Sequence, residues 1–298
     1  MHSPRLTKFL HRWDRWWTRT SPPHLLAIFR IAFGGFLLFY FALQIPHITM
    51  LYSRETVLLP AIDQTHWLGL LFAPPPPWVA QMLFSTFFTC LTLFTIGAWT
   101  RGASVLLFLL YVYYWILSLH QFGTSFDRLF LFILLTLCFS GCGKAYSVDM
   151  KLAKGSWLAW EPISILPQRL IAVQITATYL GVGWQKIILD DWQSGEVFIW
   201  GFIGRWATAP AWWIARQDIP IWVYDAVVVS IKWFEVLMPF GLWSKRWRWV
   251  FFCGGFLFHV GIAILLAIWW FVVLIPAYIV FFEPEEVADL LPEGPNCQ

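Results

Sequence analysis

The chain alternates long apolar runs with short polar breaks. A helix needs about 20 apolar residues to cross a bilayer. Runs near that length fall at roughly 24–44, 79–99, 103–121, 128–142, 168–189, 222–243 and 248–268, with a shorter eighth at 269–282. The fourth is short for a full crossing, and the last two can form one bent element. The pattern predicts an all-α polytopic transmembrane bundle of about 7–8 membrane helices. Its expected parts are a surface-lying N-terminal helix (1–23), a membrane domain (24–285) and an acidic tail (286–298), with disorder expected over 283–298.

The breaks have their own character. Five Lys and Arg residues between Arg5 and Arg19 are interleaved with Phe9, Leu10, Trp13, Trp16 and Trp17, the pattern of an amphipathic helix on a membrane surface. Ala73 to Trp78 encloses four prolines, a stiff polyproline-II approach to the second run. Segment 190–221 is rich in tryptophan and poor in charge, so it either lies in the interface or folds back as a lid.

Composition sharpens this picture. Hydrophobic residues make up 59% and charged residues 12%, against about 25% charged for a soluble domain. That excludes a soluble globule and a disordered chain. The 22 tryptophans suit interfacial belts. The net charge of +3 does not imply nucleic acid, because the basic residues cluster beside the apolar runs. Thirteen of the 20 Lys and Arg fall on the N-terminal side of the predicted topology, in segments 5–19, 144–154 and 245–248 and at Arg101 and Arg169. Positive charge stays inside, which predicts a multi-pass protein of a bacterial-type inner membrane with a cytoplasmic N-terminus. Five cysteines include no Cys-x-x-Cys, so neither a disulfide framework nor a redox motif is expected. Cys138 and Cys142 would share a helical face as small core residues. The first apolar run is too long for a cleavable signal. No internal repeat suggests an inverted-repeat transporter.

Against so apolar a background the few ionisable groups stand out. Tyr179, Val182 and Lys186 share a helical stripe, and Gly181 and Gly183 allow close approach of a helix or a flat ligand. Lys186 sits in the last turn, where it either snorkels to the headgroups or works as a functional amine. Trp192 follows closely. Arg30 lies one to two turns into the first run and either forms an ion pair or binds an anionic group. Lys232 and Glu235 are three residues apart, so they either pair with each other or Glu235 handles protons. Asp225 pairs with Lys186 if their helices touch. His259 is a hydrogen-bonded core residue or a ligand. No second histidine stands at metal-site spacing, so no metal is expected. Asp127 and Arg128 cap or pair at a helix start.

Together these residues resemble the vitamin K-dependent gamma-carboxylase family, and specifically its HTTM membrane domain. The resemblance rests on Leu26-Ala-Ile-Phe-Arg-Ile-Ala-Phe-Gly34, Leu43-Gln-Ile-Pro46, Tyr146-Ser-Val-Asp149, and the glycine-containing run leading to Lys186, Asp190, Asp191, Trp192 and Gly195. It also rests on Glu235, Phe258-His259, Pro276 and Phe281-Phe282-x-Pro284. It covers roughly residues 24–285. In that family a lysine deprotonates reduced vitamin K, oxygen converts the quinol to an epoxide, and the strong base so formed drives glutamate carboxylation. The resemblance implies that Lys186 is that lysine, with one extra residue before the tryptophan. Burial disfavours a charged amine and leaves a neutral one available as a base. The family's large extramembrane region has no counterpart before the sequence stops at residue 298. Its carboxylation histidine is replaced by Ser125-Phe-Asp127-Arg128.

The expected function is therefore the quinol half of that chemistry. Reduced vitamin K or menaquinol would be the cosubstrate, with Lys186, Glu235 and His259 catalytic and Arg30, Tyr179, Trp192 and Asp225 binding substrate. The alternative is a non-enzymatic structural subunit of a membrane complex. A transporter, lined by Lys232, Glu235 and His259, is the third reading. The expected partners are the lipid bilayer, a quinol-like small molecule and unspecified proteins, without nucleic acid.

Overall fold

The computed structural model describes residues 4–55, 72–118 and 125–291, and among these the chain is helical apart from one two-residue strand pair. It divides into two compact units. The first comprises residues 1–171 with 282–298, and the second residues 172–281.

The first unit opens with α1 (Pro4–Thr18) and α2 (His24–Ala42), followed by α3 (Ile48–Tyr52), α4 (Pro77–Ile96), α5 (Thr100–Ser118), α6 (Ser125–Cys138) and α7 (Val148–Lys154). The helix α8 (Leu166–Ile188) begins here. Phe29, Phe33, Leu37, Phe84, Phe87, Phe94, Leu107 and Leu134 fill the core between α2, α4, α5 and α6. Pro76 is in the polyproline-II region and Pro77 opens α4. A pre-set φ and a missing N–H cost nothing at a helix start. The remainder of the 46–77 segment, residues 56–71, lies outside the described residues, as does Thr124.

A compact knot closes one end of this unit. The helix α4 ends in a Schellman motif: Gly97 takes φ 72° and the Ala98 N–H donates to the Leu93 carbonyl. A Cβ on Gly97 would meet the Ser147 side chain and the Arg30 guanidinium, so glycine is needed for both backbone and space. Asp149 reaches across to the start of α5. Its carboxylate accepts from the Trp99 N–H at 2.7 Å and from the Thr100 N–H and hydroxyl at 2.8 and 2.7 Å. Ser147 caps α7. Arg30 is fully buried; its guanidinium donates to the Cys142 carbonyl at 2.7 Å and the Tyr146 carbonyl at 2.6 Å. Among the described residues no carboxylate lies within ion-pair distance of Arg30. In place of an ion pair, Arg30 holds the loop after α6. Two stretches of the family resemblance, 26–34 and 146–149, thus meet in one structural knot.

Burial tends to raise the Asp149 carboxyl, but hydrogen bonds from Thr100 and Trp99, with the Arg30 charge beyond, hold it below the ordinary carboxylate range. A lowered folded pKa contributes stability that is present above the unfolded value and is lost as pH falls through the folded one. Asp149→Asn is expected to lower thermal stability by about 1 kcal/mol at neutral pH, the size of a lost helix cap. The deficit should shrink below about pH 4, where the wild-type carboxyl also protonates. An equal deficit at pH 7 and pH 3 in detergent melts would contradict this account.

The acidic end of the chain is partly ordered. Pro284–Ala288 forms a short helix closed by a Glu283–Glu286 capping box. Glu283 takes Arg19 at 2.6 Å and Arg169 at 2.9 Å, and Glu285 takes Arg19 at 2.8 Å. The Arg169 guanidinium also stands 4.7 Å over the Trp16 ring. Antiparallel pairing of Thr20–Ser21 with Ile163–Ser164 adds to this clasp. The disorder expected over 283–298 is corrected for residues 283–291, where Arg19 and Arg169 pair with Glu283 and Glu285 at the start of the short helix. Residues 292–298 lie outside the described residues.

The second unit holds the rest of α8, then α9 (Glu196–Ile203), α10 (Ala209–Ala215), α11 (Ile221–Trp243) and α12 (Arg248–Leu266). The segment 190–221 folds back, with Phe202 and Ala211 packing with Tyr224 in a small core. Trp200, Trp212 and Trp213 stay exposed. After α12 the chain does not bend onward as one element. Ala267 takes φ 50°, and Trp269–Phe281 returns along α12 as short 3₁₀ and α turns.

Among the described residues, five helices are long and apolar enough to cross a membrane: α2, α4, α5, α11 and α12. The anticipated seven or eight are not reached on these criteria. The helix α6 has 14 residues, and the final 13-residue run is broken into turns. The helix α8 has 23 residues, but Gln168, Arg169, Gln174, Gln185 and Lys186 interrupt its apolar surface. Cys138 ends α6 while Cys142 lies in the following loop, so the expected shared helical face is not formed; both thiols are buried and free.

Candidate functional site

The candidate site lies wholly in the second unit, where α8, α11, α12 and the returning 269–281 segment bring their polar groups inward. Gly183 makes the first contact possible. A Cβ there would press on the Val236 side chain and backbone nitrogen, so its absence lets α8 and α11 approach closely. Gly181 meets no neighbour within 4 Å, so only one of the two glycines serves this purpose.

That approach sets Lys186 against Glu235. The Lys186 Nζ donates to both Glu235 carboxylate oxygens at 2.6 Å. The lysine side chain is 13% exposed and the glutamate 5%. Trp192 stands over the ammonium, with Nζ 4.5 Å from its ring centroid, a cation–π contact that strengthens where water is excluded. Lys186 therefore does not snorkel. Its charge turns inward, paired on one side and covered by an aromatic face on the other.

The partners of the neighbouring charges differ from the sequence expectations. Lys232 does not pair with Glu235; its Nζ donates to the Gln193 Oε1 at 3.2 Å. Asp225 does not pair with Lys186; it accepts from the Gly195 N–H at 2.6 Å. Both contacts pin the turn that follows α8 onto α11, and that turn carries Trp192. Asp225 and Lys232 thus position the tryptophan's segment. The Gln193 side chain also donates to the Ile187 and Leu189 carbonyls, closing the end of α8.

A second cluster lies two helical turns from Lys186 on the same stripe of α8. The Tyr179 hydroxyl lies 2.7 Å from the His259 Nε2 and 2.5 Å from the Tyr278 hydroxyl. All three residues are buried, His259 to 1% exposure. The His259 Nδ1 is buried and has no hydrogen-bond partner in the structure. The charges of Lys186 and Glu235 act electrostatically on this cluster. The transporter lining of Lys232, Glu235 and His259 is not a single chain, since each bonds to a different partner. Among the described residues no group of His, Cys, Asp and Glu is arranged to hold a metal.

Sequence reasoning missed Tyr278 and Gln193. Tyr278 sits in an apolar run with no periodic signal, and it reaches the site only because Ala267 reverses the chain. Gln193 lies in a loop with nothing to distinguish it.

The fold and its buried charges define an all-helical membrane domain with an inward-facing ion pair. The chain belongs to the HTTM domain family, whose profile it matches over residues 18–285. No curated protein and no solved structure matches it.

Proposed function

We propose that this HTTM protein is a membrane-embedded enzyme that removes a proton from a hydroxyl of a hydrophobic, quinol-type substrate. The Lys186–Glu235 pair is its proton-handling centre. The observation that carries the reading is the buried two-oxygen contact of Lys186 with Glu235, adjoined by the Tyr179–His259–Tyr278 cluster. The reading draws further support from the resemblance to the gamma-carboxylase membrane domain.

The residues fit such a ligand. Each Glu235 oxygen has a lone-pair site beyond the one facing Lys186, and the ammonium has a third N–H. The His259 Nδ1 is a buried polar atom lacking a protein partner, the kind of atom a ligand hydroxyl or a water satisfies. Lys186 as a lone neutral base does not suit its bonding; the pair acts as a unit. Glu235 accepts a proton from Lys186 as Lys186 accepts one from the substrate hydroxyl. The net change moves one proton from substrate to carboxylate. It leaves an ammonium beside the new negative oxygen, which is the electrostatic stabilisation a low-dielectric site makes effective. When bound, the quinol supplies two electrons to molecular oxygen; the chain's own residues handle the proton and exclude water. Trp192 closes the ammonium's open side. By the Lys/Arg bias, the pair faces the side opposite the N-terminus.

A second reading has its own observation. An ion pair closed on itself and capped by tryptophan also suits a structural subunit. The test is oxygen-dependent oxidation of reduced vitamin K or menaquinol by purified protein, with quinone and epoxide resolved by chromatography. Lys186→Ala is expected to lower turnover by about 10²–10⁴-fold, the usual size of general-base catalysis. Absence of turnover with either quinol, or equal turnover in a folded variant, would favour the structural subunit.

A further inference from the structure

The N-terminal helix α1 carries two parallel stripes. Phe9, Trp13 and Trp16 recur at intervals of four and three, and so do Lys8, Arg12 and Arg15. Each set therefore forms a ridge along the helix, one residue or about 100° round from the other. The aromatic ridge is continuous. Phe9 and Trp13 stack with ring centroids 6.4 Å apart, and Trp13 and Trp16 with centroids 6.0 Å apart. Between the ridges runs a groove of about 620 Å³, lined by Lys8, Phe9, Arg12, Trp13 and Trp16. We infer that this groove docks an anionic phospholipid, with its phosphate on the basic ridge and its glycerol and upper acyl chain on the aromatic one.

The ridges are free to take such an occupant. Phe9 is 60% exposed and Trp13 54%. Among the described residues Lys8, Arg12 and Arg15 form no ion pair. Asp14, the acid of α1, stands two positions from Arg12 and so points to the other side of the helix. One end of the groove is fixed, because the Arg169 guanidinium that pairs with Glu283 also lies over the Trp16 ring. Placement then identifies the occupant. Residues 19–23 alone join α1 to α2, which is long and apolar enough to cross a membrane. That connector cannot stretch, since Thr20–Ser21 pairs with Ile163–Ser164 and the Ile165 N–H donates to the Arg19 carbonyl at 3.0 Å. The helix α1 is therefore held at the level where α2 enters the bilayer, the depth of lipid phosphates and of interfacial tryptophan. By the Lys/Arg bias this is the cytoplasmic leaflet, whose surface is negative. A zwitterionic lipid brings a cation that the basic ridge repels, and a second copy of α1 laid along the first sets like charges together. An anionic phospholipid matches both ridges at once.

The experiment uses the full chain with Cys253 and Cys297 replaced by serine and Leu10→Cys carrying a fluorophore quenched by acrylamide. Shielding of the label is measured in nanodiscs of phosphatidylcholine, alone and with increasing phosphatidylglycerol. Native mass spectrometry of protein released from mixed nanodiscs counts the lipid retained. Each cation at an anionic surface adds about fivefold to binding. The label is expected to be shielded at least fivefold better with phosphatidylglycerol, which should be retained at least tenfold over phosphatidylcholine. Joint replacement by Lys8→Gln, Arg12→Gln and Arg15→Gln should remove both preferences. Trp13→Ala, with every charge intact, should lower phosphatidylglycerol retention several-fold, as a groove requires and a bare charged surface does not. If the triple variant does not fold, the wild-type lipid series and Trp13→Ala decide. Equal shielding in the two lipids, or a triple variant that behaves as wild type, would overturn the inference. So would a label shielded in lipid-free detergent in a protein of dimer mass, which would assign the ridges to a second copy.

Discussion

Glu235→Gln is expected to abolish quinol turnover and to destabilise the protein by about 3–5 kcal/mol, the cost of leaving one member of a buried ion pair alone. The amide keeps the size of the side chain but accepts at only one atom and carries no charge. Lys186, 13% exposed beneath Trp192, then loses its counter-charge with little access to water. A double replacement, Lys186→Met with Glu235→Leu, removes both charges and keeps the apolar volume. Exchanging a buried pair for packed apolar side chains is often neutral or stabilising. The double variant should therefore melt within about 1 kcal/mol of wild type while remaining inactive. Chemical or thermal unfolding in detergent measures the first quantity, and chromatographic quinol oxidation the second. A double variant that recovers stability and retains full turnover would show that the pair is not the proton-handling centre. One that stays as unstable as Glu235→Gln would show that its packing, rather than its charge, matters most.

The features legible in the sequence were those written into one stretch of chain. Apolar length marked the five helices able to cross a membrane among the described residues. The Tyr179–Lys186 spacing placed two site residues on one stripe, and the glycines at 181 and 183 announced the close approach of a helix or a flat ligand without saying which of the two would serve. Partner identity was not legible. Lys232 and Glu235 are one turn apart and look like a pair by helical spacing. Yet each turns to a residue brought in from elsewhere in the second unit, because Gly183 lets Lys186 approach Glu235 more closely. Arg30 carried the same ambiguity. Its carbonyl partners lie more than a hundred residues away in a loop, and backbone carbonyls have no signature in sequence. The anticipated count of spans is not confirmed among the described residues. Hydropathy reads Trp269–Phe281 as another crossing, but a single left-handed residue, Ala267, reverses the chain after α12.

Arg30→Met is expected to loosen the loop between α6 and α7, with a stability loss of about 2–4 kcal/mol. The guanidinium makes two short hydrogen bonds to the Cys142 and Tyr146 carbonyls, and hydrogen bonds to charged groups contribute about 1.5–3 kcal/mol each. Releasing a fully buried charge returns part of that sum, which keeps the net below the total of the two bonds. Both carbonyls lose their donor in the variant, and Asp149 loses the positive charge that helps hold its carboxyl low. Arg30→Lys should fall between wild type and methionine, because a single ammonium cannot reproduce the planar fork that spans two carbonyls. The loop provides its own reporter. Cys142 is buried and free in the wild type, so with Cys253 and Cys297 replaced by serine it should react slowly with a polar maleimide. In Arg30→Met its labelling should accelerate by at least tenfold at temperatures well below the melt, with Arg30→Lys intermediate. Unchanged labelling and an unchanged melting temperature in Arg30→Met would mean that the loop is held by Ser147, Asp149 and Gly97 without the arginine. The charge buried at position 30 would then have to be explained by a ligand rather than by the fold.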